Sequence, residues 1–250
     1  MAINVNDAIA QLTRHTTADQ KQVKFATRVA LTRTGKKVEK AEVREMRDIF
    51  KSPTPYTLSS LFVRPATASN LSVEVKLKDF AAKATPAAVF LAAQLKGGTR
   101  GQKRFERALQ SVGALPTGYR IVPGAAARLD AYGNLDRGQI VQILSYFKAF
   151  PEAGYKANMT AKRRAALARG TAKKQGFVYF VGRPGDRLPL GIYQRVSFAR
   201  GTAIKPVMIF VRSTVYQAIF DFEYVAQQTT DQEFPGEFAQ AWAEAQRTAR

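Results

Sequence analysis

The chain has 250 residues, 46% of them hydrophobic, and 39 Lys plus Arg against 19 Asp plus Glu give it a net charge of +20. Cysteine is absent and His15 is the only histidine, which excludes disulfides, thiolate nucleophiles and sulfur-ligated zinc and leaves a Ser-His-Asp triad or a multi-histidine metal centre almost nothing to use. The mean hydropathy is −0.23, no apolar run approaches the roughly 18 to 20 residues of a membrane span, and the charge calls for an acidic partner, nucleic acid first and an acidic protein surface second.

The opening Met1-Ala2-Ile3-Asn4-Val5-Asn6-Asp7 has neither the basic nor the apolar region of a secretory signal, so the protein is expected to act where it is made, in a cytoplasm. His15 lies in a polar stretch and reads as a surface residue. From Asp19 to Phe50 there is no proline and one glycine, and Val23, Ala26, Ala30, Thr34, Val38 and Ala41 recur at three and four residues. That spacing predicts one long amphipathic helix whose seam is made of small residues, suited to close approach by another helix or a sheet. Ser52-Pro53-Thr54-Pro55 stops it. Tyr56 to Val63 then reads as a strand, and Leu71, Val73, Val75 and Leu77 alternate with polar residues as a second.

The middle of the chain reads as short helices: Ala87 to Leu95 after Thr85-Pro86, Gln102 to Val112, and Gly138 to Phe150 capped by Asp136. Prolines and glycines between them mark irregular connections. From Gly176 the pattern becomes strands again, at 177–181, 192–198 and 207–211, each rich in β-branched and aromatic residues. A helical pattern follows, with Phe234, Phe238 and Trp242 every four residues and Pro235 dividing it. The fold class predicted is α+β: a mostly antiparallel sheet flanked by a long N-terminal helix and a broken C-terminal helix. Residues 1–80 and 176–250 form that core, and 81–175 an inserted helical lobe.

Two basic clusters are the candidate contact residues. Lys96, Arg100, Lys103, Arg104 and Arg107 make the first. The second is Lys156, Lys162, Arg163, Arg164, Arg169, Lys173 and Lys174, in a stretch from Ala153 through Gly185 with no Asp or Glu. Such residues placed on phosphates release counterions and give sequence-independent affinity. They serve equally well against an acidic protein, and no helix-turn-helix, zinc finger or aromatic RNA-binding motif accompanies them. Gly182-Arg183-Pro184-Gly185-Asp186-Arg187 lacks the Lys-Ser/Thr and the helix of a phosphate loop and reads as a strand connection. Glu74-Val75-Lys76 has the spacing of a metal-dependent nuclease strand, without a convincing upstream aspartate.

Two regions resemble the minor tail protein Z family of tailed bacteriophages, the lambda-type tail completion proteins. One is Ala26-Thr27-Arg28-Val29-Ala30-Leu31-Thr32-Arg33-Thr34 leading into a charged helix and the Leu71 to Lys78 strand. The other comprises Ile192-Tyr193-Gln194-Arg195, Ile204-Lys205-Pro206-Val207 and Phe234-Pro235-Gly236-Glu237-Phe238. About half the chain is covered, and Leu129-Asp130-Ala131-Tyr132-Gly133-Asn134 with the helix after it departs from the pattern. The resemblance implies a non-enzymatic virion protein at the head–tail junction, with no cofactor and no membrane contact. Its implied partners are other neck or tail proteins, further copies of itself in a ring, and packaged double-stranded DNA. A DNA-binding accessory protein and a nuclease are the alternatives.

Overall fold

Thirty residues free of proline, with apolar side chains on one stripe, wind into α1 (Gln20–Ile49), which buries Val23, Ala26, Ala30, Leu31, Val38 and Met46. A computed structural model describes residues 2–4, 20–82, 84–150, 157–182, 185, 187–212 and 214–248. His15, Lys156, Arg183, Pro184 and Asp186 lie outside them. The fold is α+β, as its sequence pattern predicts, and the chain divides into two compact units.

The first unit holds Met1–Gly98 and Tyr216–Arg250. Its sheet has the order β1-β3-β2, all antiparallel, from β1 (Ala2–Asn4), β2 (Leu61–Arg64) and β3 (Ser72–Leu77), with Ile3 opposite Val73 and Val63 opposite Val75. α1 crosses this sheet at Gly35, where a Cβ would lie 2.5 Å from Val73 Cγ2, so only glycine admits the strand so close. Leu31, Val38, Met46, Val73, Val75, Phe220 and Phe222 form the core. On its other side α1 meets α8 (Phe222–Thr248) through Ala26, Ala30, Ala241 and Ala245, with Phe238 and Trp242 flanking the seam. Lys37 bridges Glu233 and Glu237, and Arg33 pairs with both oxygens of Glu244 across the same seam.

Two local readings need correction here. The 56–63 segment is not one strand, because Thr54 Oγ1 accepts from Thr57 N at 3.1 Å and Pro55 pre-sets the first turn of α2 (Pro55–Leu58); the strand begins only at Leu61. The C-terminal helix is not broken either. α8 runs through Pro235, which is exposed together with Asp231, so the carbonyl that loses its i+4 donor faces water. Between these elements, α3 (Ala87–Phe90) and α4 (Ala92–Lys96) replace the single helix read at 87–95.

The second unit is Thr99–Val215. Its four-stranded antiparallel sheet has the order β5-β10-β9-β8, from β5 (Arg120–Pro123), β8 (Phe177–Gly182), β9 (Gly191–Phe198) and β10 (Gly201–Val211). α5 (Arg104–Ser111) and α6 (Arg137–Tyr146) supply Leu109, Ile143 and Leu144 to a core that also holds Ile121, Tyr179, Ile192, Met208 and Phe210. Asp136 caps α6 by accepting from Gln139 N at 2.8 Å, as its sequence position predicts. α7 (Ala161–Arg169) buries no residue. Short ladders pair β4 (Gly98–Thr99) with β11 (Val215–Tyr216) and β6 (Gly170–Thr171) with β7 (Lys174–Gln175).

This division corrects the domain reading. The 177–211 strands do not join the 61–77 hairpin in one sheet; they pair with β5, inside the segment read as a helical insertion. The boundaries fall at 98/99 and 215/216 rather than at 80/81 and 175/176. Arg120-Ile121-Val122-Pro123 is the cause. Four residues between glycines and prolines read as irregular chain, yet Met208 to Val211 pair with them and draw the whole meander to the middle third.

Candidate functional site

Charge is divided unevenly between the units. Thr99–Val215 carries 21 Lys and Arg against five Asp and Glu, a net +16, whereas the remainder carries 18 against 14, a net +4. Most basic residues of the second unit therefore have no acidic residue within it to offset them.

The sequence-predicted cations separate into groups. Lys96 ends α4 in the first unit. Lys103 is the residue preceding α5, and Arg104 and Arg107 are exposed on it. Lys162, Arg163 and Arg169 are exposed on α7, with Lys173 in the β6–β7 turn that follows directly and Lys174 opening β7. This places five cations on one continuous helix-and-hairpin projection.

Two predicted contact residues are engaged inside the protein instead. Arg100 donates to Glu106 Oε2 and Oε1 at 2.9 and 2.5 Å and to the Ile121 carbonyl at 3.1 Å, with its side chain 13% exposed. Glu106 is fully buried and also accepts from Lys103 N and Ile121 N at 2.6 and 2.8 Å. Burial pushes its carboxyl up, but Arg100 and the two amides outweigh that and hold it below the ordinary value. Arg164 donates to the Tyr146 carbonyl and lays its guanidinium 4.7 Å above the Tyr146 ring, fastening α7 to the end of α6. Sequence position alone does not distinguish these two from their neighbours, since both sit in basic runs.

Other cations were not legible because each stands alone on a strand or loop. Arg195 on β9 lies 4.8 Å from the Phe180 ring centroid, and Phe180 stacks on Tyr193 at 5.6 Å. Arg212 donates to Tyr119 Oη at 2.9 Å. Arg128 flanks a groove of about 330 Å³ that also includes Gln139, Gln142, Lys174, Phe177 and Tyr179. The detectable signal for that groove was two glutamines three residues apart among Ile140, Val141, Ile143 and Leu144.

Glu74 and Lys76 occupy one face of β3, where Lys76 Nζ lies 3.4 Å from Asp79 Oδ2 and 3.9 Å from Glu74 Oε1, an exposed ion-pair chain. No cluster of three or more His, Asp or Glu suited to a metal occurs among the described residues. No helix among them is long and apolar enough to cross a membrane. The site is thus a set of exposed cations on a strongly basic unit, able to bind anionic groups through charge and hydrogen bonds. No family model, curated protein or solved structure matches the chain.

Proposed function

We propose that this is a non-catalytic structural protein of a tailed bacteriophage, a tail completion or neck component that joins head and tail as part of a ring. The observation that carries the reading is the segregation of charge: +16 on 99–215 and +4 on the rest. Such a unit repels its own copies unless a polyanion or an acidic protein neutralises it, and a head–tail junction offers both. The resemblance of the 26–34, 192–195, 204–207 and 234–238 segments supports the particle; the charge supports the kind of neighbour. Electron microscopy and mass spectrometry of purified particles test it. The protein is expected in particles, and its presence only in infected-cell lysate would defeat the proposal.

The second reading is a DNA-binding accessory protein that works free of the particle, and the exposed α7 and β6–β7 projection favours it. Under that reading, changing Lys162, Arg163, Arg169, Lys173 and Lys174 to Gln weakens duplex binding and flattens the slope of log affinity against log salt by about 0.9 for each phosphate no longer neutralised. Under the first reading with an acidic protein neighbour, DNA affinity hardly changes while particle assembly fails.

A further inference from the structure

The groove lined by Arg128 and by Lys174, a cation it shares with the exposed projection, is concave and partly apolar. Gln139 and Gln142 stand one turn apart on α6, and Tyr179 faces them from β8. Gln139 is nearly fully buried, and its Oε1 accepts from Arg128 N at 2.7 Å. Tyr179 Oη donates to Gln142 Oε1 at 3.0 Å, and the Gln139 amide bonds the same phenol. Each glutamine oxygen is thus an occupied acceptor, and the Gln142 amide hydrogens remain available to a ligand. Burial pushes the Tyr179 phenol up, so it remains a neutral donor and fixes this polarity.

Two cations complete the lining, and among the described residues no Asp or Glu is part of it. Arg128 has a long contact to Asp136 Oδ1, 3.5 Å, with its side chain 60% exposed, which leaves guanidinium donors available. The apolar wall is the edge-to-face pair Phe177 and Tyr179, with centroids 5.2 Å apart. A volume of about 330 Å³ falls at the small end of ordinary ligand sites, about 300 to 1,000 Å³. Amide donors and cations beside an aromatic wall fit a compact ligand that joins an anion to a flat ring.

We propose that this groove binds a nucleotide: its phosphate is held by Arg128 and Lys174 while its base lies against Phe177 and meets the Gln142 amide. The site does not depend on the phage reading above, because it would serve a free nucleotide or one unit of a single strand alike.

Calorimetric titration of the full-length protein with 2′-deoxyadenosine 5′-monophosphate tests it, with deoxyadenosine as the ligand lacking phosphate. Saturable binding is expected, at least tenfold weaker for deoxyadenosine. Gln142→Leu and, separately, the exposed Arg128→Gln should each weaken the nucleotide about tenfold. Lys162→Gln with Arg163→Gln, outside the groove, should leave it unchanged, which separates this site from duplex binding by the projection. Competition by a short single-stranded deoxyadenylate oligomer assigns the nucleotide to a strand, and lack of competition assigns it to a free ligand. Absence of saturable nucleotide binding, or equal binding by wild type and Arg128→Gln, overturns the proposal; Arg128→Gln decides the matter if Gln142→Leu also lowers the melting temperature.

Discussion

A carboxyl without a partner in an apolar core is tolerated only as the neutral acid, and Glu42 is held in that form. It is fully buried on α1, and neither oxygen has a hydrogen-bond partner among the described residues. Burial, followed by the charges of Glu45 and Asp221, pushes its pKa from 4.5 to about 8. Because the folded value lies above the unfolded one, the associated stability is complete below about pH 4.5 and is lost as pH rises through about 8, at no more than about 1.4 kcal/mol per pH unit. Glu42→Gln should therefore raise the melting temperature at pH 8.5 and flatten its dependence between pH 5 and 8.5. Fluorescence of Trp242, the sole tryptophan, reports this unit directly. Arg100 makes the opposite case, a charge whose removal strands its partner. Arg100→Ala should destabilise by about 3–5 kcal/mol because Glu106 remains buried without its counter-charge, held by two backbone amides alone. Arg104→Ala, at the exposed first residue of α5, should stay within about 0.5 kcal/mol; chemical denaturation distinguishes the two.

Among the elements, those with an unambiguous period or cap were legible. α1 announces itself through small residues at three and four, β3 through strict alternation, and α6 through Asp136. The close contact of α1 with α8 was legible in kind, since Ala26 and Ala30 admit only a near neighbour. Ala30→Leu should overpack that seam against Ala241 and Ala245 and cost about 1–3 kcal/mol, seen as a lower urea midpoint. The unread elements failed for identifiable reasons. At Thr54-Pro55 the same chemistry that ends one helix starts another, and a four-residue turn has too few positions to show a period. At Pro235 the local rule was overridden by an exposed position, where water replaces the missing donor. β5 is four residues long and takes its identity from β10, a partner more than 80 residues away in sequence. The candidate site was half legible: runs of Lys and Arg locate the α7 projection, but Arg100 and Arg164 look identical to their neighbours until Glu106 and Tyr146 are placed beside them.

At the scale of the whole molecule, the missed boundary and the charge asymmetry are one finding. With the divisions at 80/81 and 175/176 the 177–211 strands and the basic runs fall into different domains; with those at 98/99 and 215/216 these strands share one with every predicted cation except Lys96. Supercoiled DNA incubated with the protein and Mg²⁺ should remain intact, since Lys76 is engaged with Asp79 and Glu74 on an open strand face; cleavage abolished by Glu74→Ala would overturn this. The second unit is an uninterrupted stretch of chain, whereas the first is assembled from two separated stretches. A fragment of residues 99–215 should accordingly melt cooperatively by circular dichroism, and 1–98 alone should not, because Ala241 and Ala245 of the alanine seam and Phe220 and Phe222 of its core lie beyond residue 215. On the ribosome this order becomes a timetable. The basic unit is complete and available to anionic neighbours while α1 still waits, its seam uncovered, for the 27 residues of α8 to be translated.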